Sequence, residues 1–246
     1  MKKSFLLLIT VMLIVSSNAQ DAFKVQMDVY KSALKYYDLQ TAVSALYNAM
    51  AIKPERKDLK DSLALLYFAG ERYAQSNALA EEILKEDPKR VDMLEVVAVS
   101  KTSLNAIKEA LADYENLYKE KKEVYYLYQI ATLQYQLKRY GEAVVSIDQI
   151  VADPKSSQQN VTIRAQNGQA QEVPLKAAAY NVKGIIAMDL NQEDAAKLNF
   201  DEALKVFPDF VLAKGNIKMI QDKKAKTNST SPKPASQTPA QKAPVK

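Results

Sequence analysis

The sequence contains no cysteine, no histidine and no tryptophan, and it has only five glycines in 246 residues. Without cysteine there are no disulfides, iron–sulfur clusters or thiol nucleophiles, and without histidine the commonest general base and metal ligand are missing. Five scattered glycines form no glycine-rich phosphate loop. We therefore expect no catalytic residue, cofactor or metal, and a fold held by its hydrophobic core alone.

The basic excess of the chain lies in its two ends. The net charge is +5, from 34 basic and 29 acidic residues. Two basic residues lie in 1–19 and six in 223–246, which leaves 26 basic residues against all 29 acidic ones, a net charge of −3, between 20 and 222. This central part has no basic stripe interleaved with aromatic residues, so we expect no nucleic-acid partner.

Residues 1–19 have the pattern of a secretory signal peptide. Lys2 and Lys3 precede an apolar run over 5–15, and the small residues Ser17 and Ala19 suit cleavage after Ala19. The run is short for a bilayer span and no second one follows, so we expect an exported mature chain without a transmembrane segment, periplasmic or secreted. The Asn-Ala-Gln ending resembles signal peptides of Bacteroidetes-type bacteria. Residues 223–246, rich in Lys, Pro and Ala, predict a disordered tail.

Small residues and prolines recur along the middle of the chain with a period of about 34 residues. One set of small residues comprises Ala42, Ser76, Ala110, Ala143 and Ala196, and a second set about twelve residues earlier comprises Ala64, Ala98, Ala131 and Gly184. The repeating units end at Pro54, Pro88, Lys122, Pro154 and Pro208. The pattern predicts units of two amphipathic helices, which must stack because no unit buries its apolar face alone.

Two stretches show the unit most clearly, Leu63 to Pro88 and Tyr180 to Pro208. In the second stretch, aromatic, small and terminal proline positions are held by Tyr180, Gly184, Ala187, Ala196, Phe200, Ala203 and Pro208. These positions resemble the tetratricopeptide repeat (TPR) family. The resemblance implies an all-α, right-handed α-solenoid of about five helix-turn-helix repeats with a C-terminal capping helix, whose first helices line a concave face that binds peptides or proteins.

The predicted organisation is a signal peptide over 1–19, a solenoid over 20–222 and a disordered tail over 223–246. The predicted repeats cover about 23–56, 57–90, 91–123, 124–154 and 177–210, with a hairpin insertion over 155–176 and a capping helix over 211–222.

The insertion carries the signal for a β-hairpin. Val161 and Ile163 alternate with polar residues, Asn167-Gly168 follows, and Val173 lies on the other side. Asn-Gly suits a two-residue turn, which would pair 161–166 with 169–174. Two strands alone are marginal in water, so the three apolar residues are expected to lie on the solenoid or on a partner. A partner site, a brace and a loop ornament remain open.

The candidate groove residues lie on first helices. Tyr125, Tyr128, Thr132 and Tyr135 fall on one helical face of repeat four, which the register places on the concave side; Asp58, Asp61, Asp92 and Glu95 fall on the equivalent face of repeats two and three. Together they predict an acidic groove with tyrosines that accepts a basic or amphipathic segment. The alternative is that the rings pack as core and the carboxylates are merely solvated.

The leading hypothesis is an exported, non-catalytic TPR adaptor that holds a partner protein or peptide of the cell envelope in its concave groove. The alternative is an envelope-structural protein whose basic tail tethers it to an anionic polymer or membrane surface. The sequence indicates neither the partner nor the oligomeric state.

Overall fold

The computed structural model describes residues 20–165 and 168–230, which form helices joined by short turns, with one two-stranded sheet. The helices are α1 (20–35), α2 (Leu39–Ile52), α3 (Lys57–Ala69), α4 (Tyr73–Glu86), α5 (Val91–Ser103), α6 (Ile107–Lys121), α7 (Val124–Gln136), α8 (Tyr140–Ala152), α9 (Leu175–Asp189), α10 (Glu193–Val206) and α11 (Val211–Thr230); the strands are β1 (Asn160–Arg164) and β2 (Ala170–Pro174). A 3₁₀ turn, Pro154–Ser157, precedes β1. The predicted all-α class with one β-hairpin is confirmed.

The small residues of the repeat pattern lie where paired helices meet. All of them are buried: Ala42, Ala64, Ser76, Ala98, Ala110, Ala131, Ala143, Gly184 and Ala196. Ser76 of α4 also donates a hydrogen bond from Oγ to the carbonyl oxygen of Ala64 in α3, at 2.9 Å. Small side chains at these positions let two helix backbones approach, which explains why they recur with the period of the repeat.

The turn inside each helix pair is closed by one residue in the left-handed conformation. These residues are Tyr37, Glu71, Asn105, Lys138 and Asn191, with φ between 57° and 60°. In the second turn, Arg72 N–H donates to the carbonyl of Tyr67 at 2.8 Å, the long-range bond of a Schellman motif. Lys122, which stands in the place of the missing proline, is left-handed too and ends α6.

The chain divides into two compact units, one up to Ser146 and one from Ile147. In the first unit, the largest fully buried side chains include Leu46, Leu59, Leu63 and Met93. In the second unit, α10 packs against α9 and α11, and its core contains Phe200, Phe210 and Leu175. Among the described helices, none has both the length and the apolar character that a bilayer crossing requires.

The hairpin forms with a register that differs from the predicted one. β1 and β2 pair antiparallel, with Val161 opposite Val173 and Ile163 opposite Gln171. Ala165 N–H donates to the carbonyl of Gln169 at 2.8 Å, so the loop has three residues and the predicted two-residue turn is wrong. The loop ends at Gly168 with φ of +82°, the position where a three-residue hairpin needs a left-handed residue. Asn167 lies outside the described residues.

The hairpin packs on the second unit. Val173 is fully buried, Val161 and Ile163 are half-buried, and both strands contact α9. The Gln171 side chain donates from Nε2 to the carbonyl of Asp209 at 2.8 Å and accepts at Oε1 from Val211 N–H at 2.9 Å. The insertion is therefore held to α9 and to the start of α11.

The last helix is longer than the sequence predicted. α11 runs to Thr230, so the capping helix does not end at 222 and the predicted tail begins as helix. Lys223 pairs with Glu193 at 2.6 Å and Lys224 with Asp194 at 3.0 Å. These lysines complement the acidic first turn of α10, and no proline lies between 211 and 231 to stop the helix.

Candidate partner-binding groove

A cleft of about 400 Å³ lies in the first unit. It is lined by Leu65 and Phe68 of α3, Asp92, Glu95, Val96 and Val99 of α5, Tyr114 of α6, and Tyr125 and Tyr126 of α7. Helices α3, α5 and α7 are the first helices of three successive pairs, so the cleft lies on the face that the sequence assigned to the groove.

The period of the repeat explains which side chains reach this cleft. Leu65, Val99 and Thr132 hold the same position in their helices, as do Phe68 and Tyr135. The sequence prediction extended this register back to acidic residues of α3 and α5, but it did not extend the positions of Thr132 and Tyr135. The apolar lining was therefore missed, although the same spacing would have found it.

Aromatic rings form one wall of the cleft. The Tyr125 and Tyr126 rings meet edge to face with centroids 5.8 Å apart, and the Tyr114 ring lies 6.5 Å from the Tyr126 ring. The Tyr126 hydroxyl donates a hydrogen bond to the Glu95 carboxylate. Burial raises the pKa of Tyr114 and Tyr126, and the bond to Glu95 raises that of Tyr126 further. Both hydroxyls therefore stay protonated at neutral pH.

The four predicted residues of α7 do not lie together in the cleft. Tyr125 lines it and is 36% exposed, whereas Tyr128 is only 7% exposed, so its prediction as an open groove residue is wrong. Tyr128 follows Val124 by one helical turn and precedes Ala131 by another, and both are buried, which places its ring on the core stripe.

The other two members of the set lie beyond the cleft lining. Thr132 is half-buried and donates from Oγ1 to the carbonyl of Gln129 at 2.8 Å. The Tyr135 ring, also half-buried, lies 6.0 Å from the ring of Tyr140. Both side chains thus have partners within the first unit.

The predicted acidity of the groove is largely compensated by arginine. Arg56 contacts Asp58 at 2.6 Å, and Arg90 contacts Asp61 at 2.9 Å and Asp92 at 2.6 Å. Hydrogen bonds from these arginines lower the pKa of Asp58 and Asp92. The two arginines stand one repeat apart, each two residues before its aspartate, so the compensation repeats with the fold and the prediction of an acidic groove is corrected.

The chemistry of the cleft suits binding. Its lining combines aliphatic and aromatic side chains with the two carboxylates of Asp92 and Glu95. In the described part of the chain, no three His, Cys, Asp or Glu residues group closely enough to hold a metal ion.

Comparison with solved structures identifies the fold. No protein-family model matches the sequence, and no curated protein is similar to it. YrrB, described as a TPR protein with an unusual peptide-binding site, matches with a TM-score of 0.61 and 14% identity over 84% of this chain and 97% of YrrB. MamA matches with a TM-score of 0.58 and 12% identity over 84% of this chain and 96% of MamA. A MamA fragment from Desulfovibrio magneticus RS-1 matches with a TM-score of 0.58 and 10% identity over 78% of this chain and 98% of the fragment. The chain therefore has the TPR solenoid fold.

Proposed function

We propose that this protein is an exported, non-catalytic TPR adaptor that binds a segment of an envelope protein in the cleft between α3, α5 and α7. The observation that carries this proposal is an apolar cleft that crosses three successive first helices. Leu65 is 46% exposed and Tyr125 36%, so apolar surface of both side chains stays in contact with water. A peptide-binding site in YrrB, a protein of the same fold, supports the same use.

The lining defines the chemistry of the bound segment. Leu65, Phe68 and Val99 suit one or two aliphatic or aromatic anchors, and the nearby carboxylates of Asp92 and Glu95 suit one amide or cationic donor beside them. Because Arg90 already pairs with Asp92, a strongly basic segment gains less than the sequence alone suggested. The preferred ligand is thus amphipathic.

The groove is tested by charging its wall. We expect Leu65→Glu to abolish capture of a partner from the envelope fraction of the native host. In a titration with that purified partner, the dissociation constant should rise at least tenfold, a loss of about 1.4 kcal/mol of binding free energy. Leu198→Glu makes the same change at an exposed leucine of α10 and should bind like the wild type. Equal capture by both variants, with unchanged circular dichroism, would overturn the proposed groove.

Export is the second part of the proposal, and it is supported by the basic, apolar and small-residue pattern of 1–19. We expect the protein in the periplasmic fraction, with a mature chain that begins at Gln20. Cell fractionation checks the first statement, and intact-mass measurement of the endogenous protein checks the second. A cytoplasmic protein that retains residues 1–19 would refute export and leave the groove untouched.

The alternative role is a structural tether through the basic C-terminal end. Residues 231–246 contain three lysines and no acidic residue, which favours anionic surfaces. Deletion of residues 231–246 is the suitable test, because it leaves in place Lys223 and Lys224, which pair with α10. Loss of envelope association with partner capture retained would favour the tether over the adaptor.

A further inference from the structure

Helix α1 presents an apolar stripe to solvent. Val25 is 56% exposed, Val29 38% and Tyr36 70%, and Ser32 is exposed between them. These residues follow one another at spacings of four, three and four, so the three residues of α1 lie on one face of the helix, and Tyr36, the first residue after α1, continues that face. The buried Phe23 and Ala33 lie about 150° and about 70° away around the helix axis.

The same face is covered in the later repeats of the first unit. One repeat further along the chain, Val25, Val29 and Ser32 correspond to Leu59, Leu63 and Leu66 of α3, and two repeats along to Met93, Val97 and Ser100 of α5. All six corresponding residues are buried. The stripe therefore holds a helix-packing position of the fold, and no described helix covers it in α1.

We propose that this stripe pairs with the α1 stripe of a second copy of the chain, with the two helices antiparallel. The spacing is that of alternating d and a positions of a heptad, with d at 25 and 32 and a at 29 and 36. In an antiparallel pair, Val25 faces Tyr36 of the copy and Val29 faces Ser32 of the copy. Four residues of each chain then interlock about one two-fold axis.

Charge complementarity selects this partner. Asp28 and Lys35 occupy the same flanking position one heptad apart, and both are exposed. The antiparallel arrangement brings each Asp28 beside Lys35 of the copy, so two opposite-charge pairs flank the apolar layer. The Lys35 ammonium lies 5.5 Å from the Tyr36 ring centroid, which places the charge at the edge of the stripe. A parallel pair would set Asp28 beside Ala33 and gain no ion pair.

The surroundings of the stripe leave room for the copy. A hollow of about 230 Å³ lies between α1 and the start of α2, lined by Val29, Ser32, Ala33, Tyr36, Asp38 and Thr41. Asp38 caps α2 by accepting from Thr41 N–H at 3.0 Å, so the polar groups at its far wall already have partners. The hollow can therefore accept an apolar side chain without breaking this hydrogen bond.

Sedimentation velocity over a concentration series tests the pairing, with the protein as purified. We expect reversible dimers, and we expect Val29→Glu and Lys35→Glu each to raise the dimer dissociation constant at least tenfold. Lys31→Glu, which makes the same charge change on another face of α1, should leave it unchanged. Circular dichroism confirms that each variant is folded. A protein that stays monomeric at every concentration, or dimers that both variants leave intact, would overturn the proposal.

Exchanging the charges at positions 28 and 35 tests whether a second copy of the chain covers the stripe. Asp28→Lys and Lys35→Glu should each dimerise at least tenfold more weakly alone, because each sets like charges at positions 28 and 35 of the facing copies. Their equimolar mixture should recover dimers, because one chain of each kind restores both opposite-charge pairs along the flank of the stripe. No recovery on mixing would refute the antiparallel copy. Dimers of the chain that begins at Gln20 support the pairing, and monomers whether the chain begins at Gln20 or at Met1 would overturn it.

Discussion

The packing of α9 on α10 depends on the missing side chain of Gly184. A Cβ atom at this position would lie 2.4 Å from Cε1, 2.6 Å from Cδ1 and 2.8 Å from Cζ of Phe200. Phe200 is fully buried, and Ala196 and Ala203 beside it are fully buried as well. Contacts this short cannot be accommodated in place, so Gly184→Ala must shift a helix or force the ring from its preferred rotamer.

The expected cost is the difference between two effects. Overpacking of a core by one methyl group costs about 1 to 3 kcal/mol, and a contact near 2.4 Å belongs at the upper end. Alanine in a helix interior is more favourable than glycine by about 1 kcal/mol, which offsets part of this cost. We therefore expect Gly184→Ala to lower the free energy of unfolding by about 1 to 2 kcal/mol.

Urea denaturation followed by circular dichroism at 222 nm measures this change. Gly215→Ala is the matched control, because a Cβ at this position of α11 meets no atom within 4 Å, and it should stabilise by about 0.5 to 1 kcal/mol. Phe200→Leu combined with Gly184→Ala should cost less than the two single changes added together. A Gly184→Ala variant as stable as the wild type would refute the close-approach argument.

Three other positions carry predictions about stability. Gln171→Leu removes both hydrogen bonds to the backbone of Asp209 and Val211, and it should lower stability by about 1 to 2 kcal/mol and speed amide exchange in the first turn of α11. Burial raises the pKa of Tyr128 to about 12, whereas an unfolded tyrosine ionises near 10, so up to about 2.7 kcal/mol of stability present below pH 10 is lost as pH rises to 12. Tyr128→Phe should remove that share of the alkaline decline in urea midpoints. Glu71 has φ of +57°, so Glu71→Gly should stabilise by about 0.5 kcal/mol and Glu71→Val destabilise by about 1 kcal/mol; the opposite order would exclude a left-handed turn residue.

The repeat architecture could be predicted because it depends on residue size at fixed spacing. A small residue such as Ala42 or Ser76 is required wherever two helices approach, whatever surrounds it, so the period survives in the sequence although no family model matches it. The turn inside each pair left no comparable sequence signal. Tyrosine, glutamate, asparagine and lysine all occupy its left-handed position, where glycine would have marked it.

The groove was predicted less completely because its electrostatics and burial depend on neighbours from other helices. Arg90 immediately precedes α5 but pairs with Asp61 of α3, across 29 residues of sequence. The helical face of α7 likewise did not distinguish Tyr125 from Tyr128, because a three-residue offset turns a side chain by only about 60°. That angle separates the cleft from the core.

The hairpin shows how an insertion can be accommodated in a helical repeat. Its strands pair with each other, so the β1–β2 ladder forms without hydrogen bonds from the helices. The register that places Val161 opposite Val173 also directs Gln171 toward the α10–α11 connection, where its amide bonds to two backbone groups. A shift by one residue would direct both Val173 and Gln171 to the other face of the sheet. The three-residue loop at Gly168 thus fixes the contacts through which the insertion holds α11, and these contacts favour a brace over an ornament.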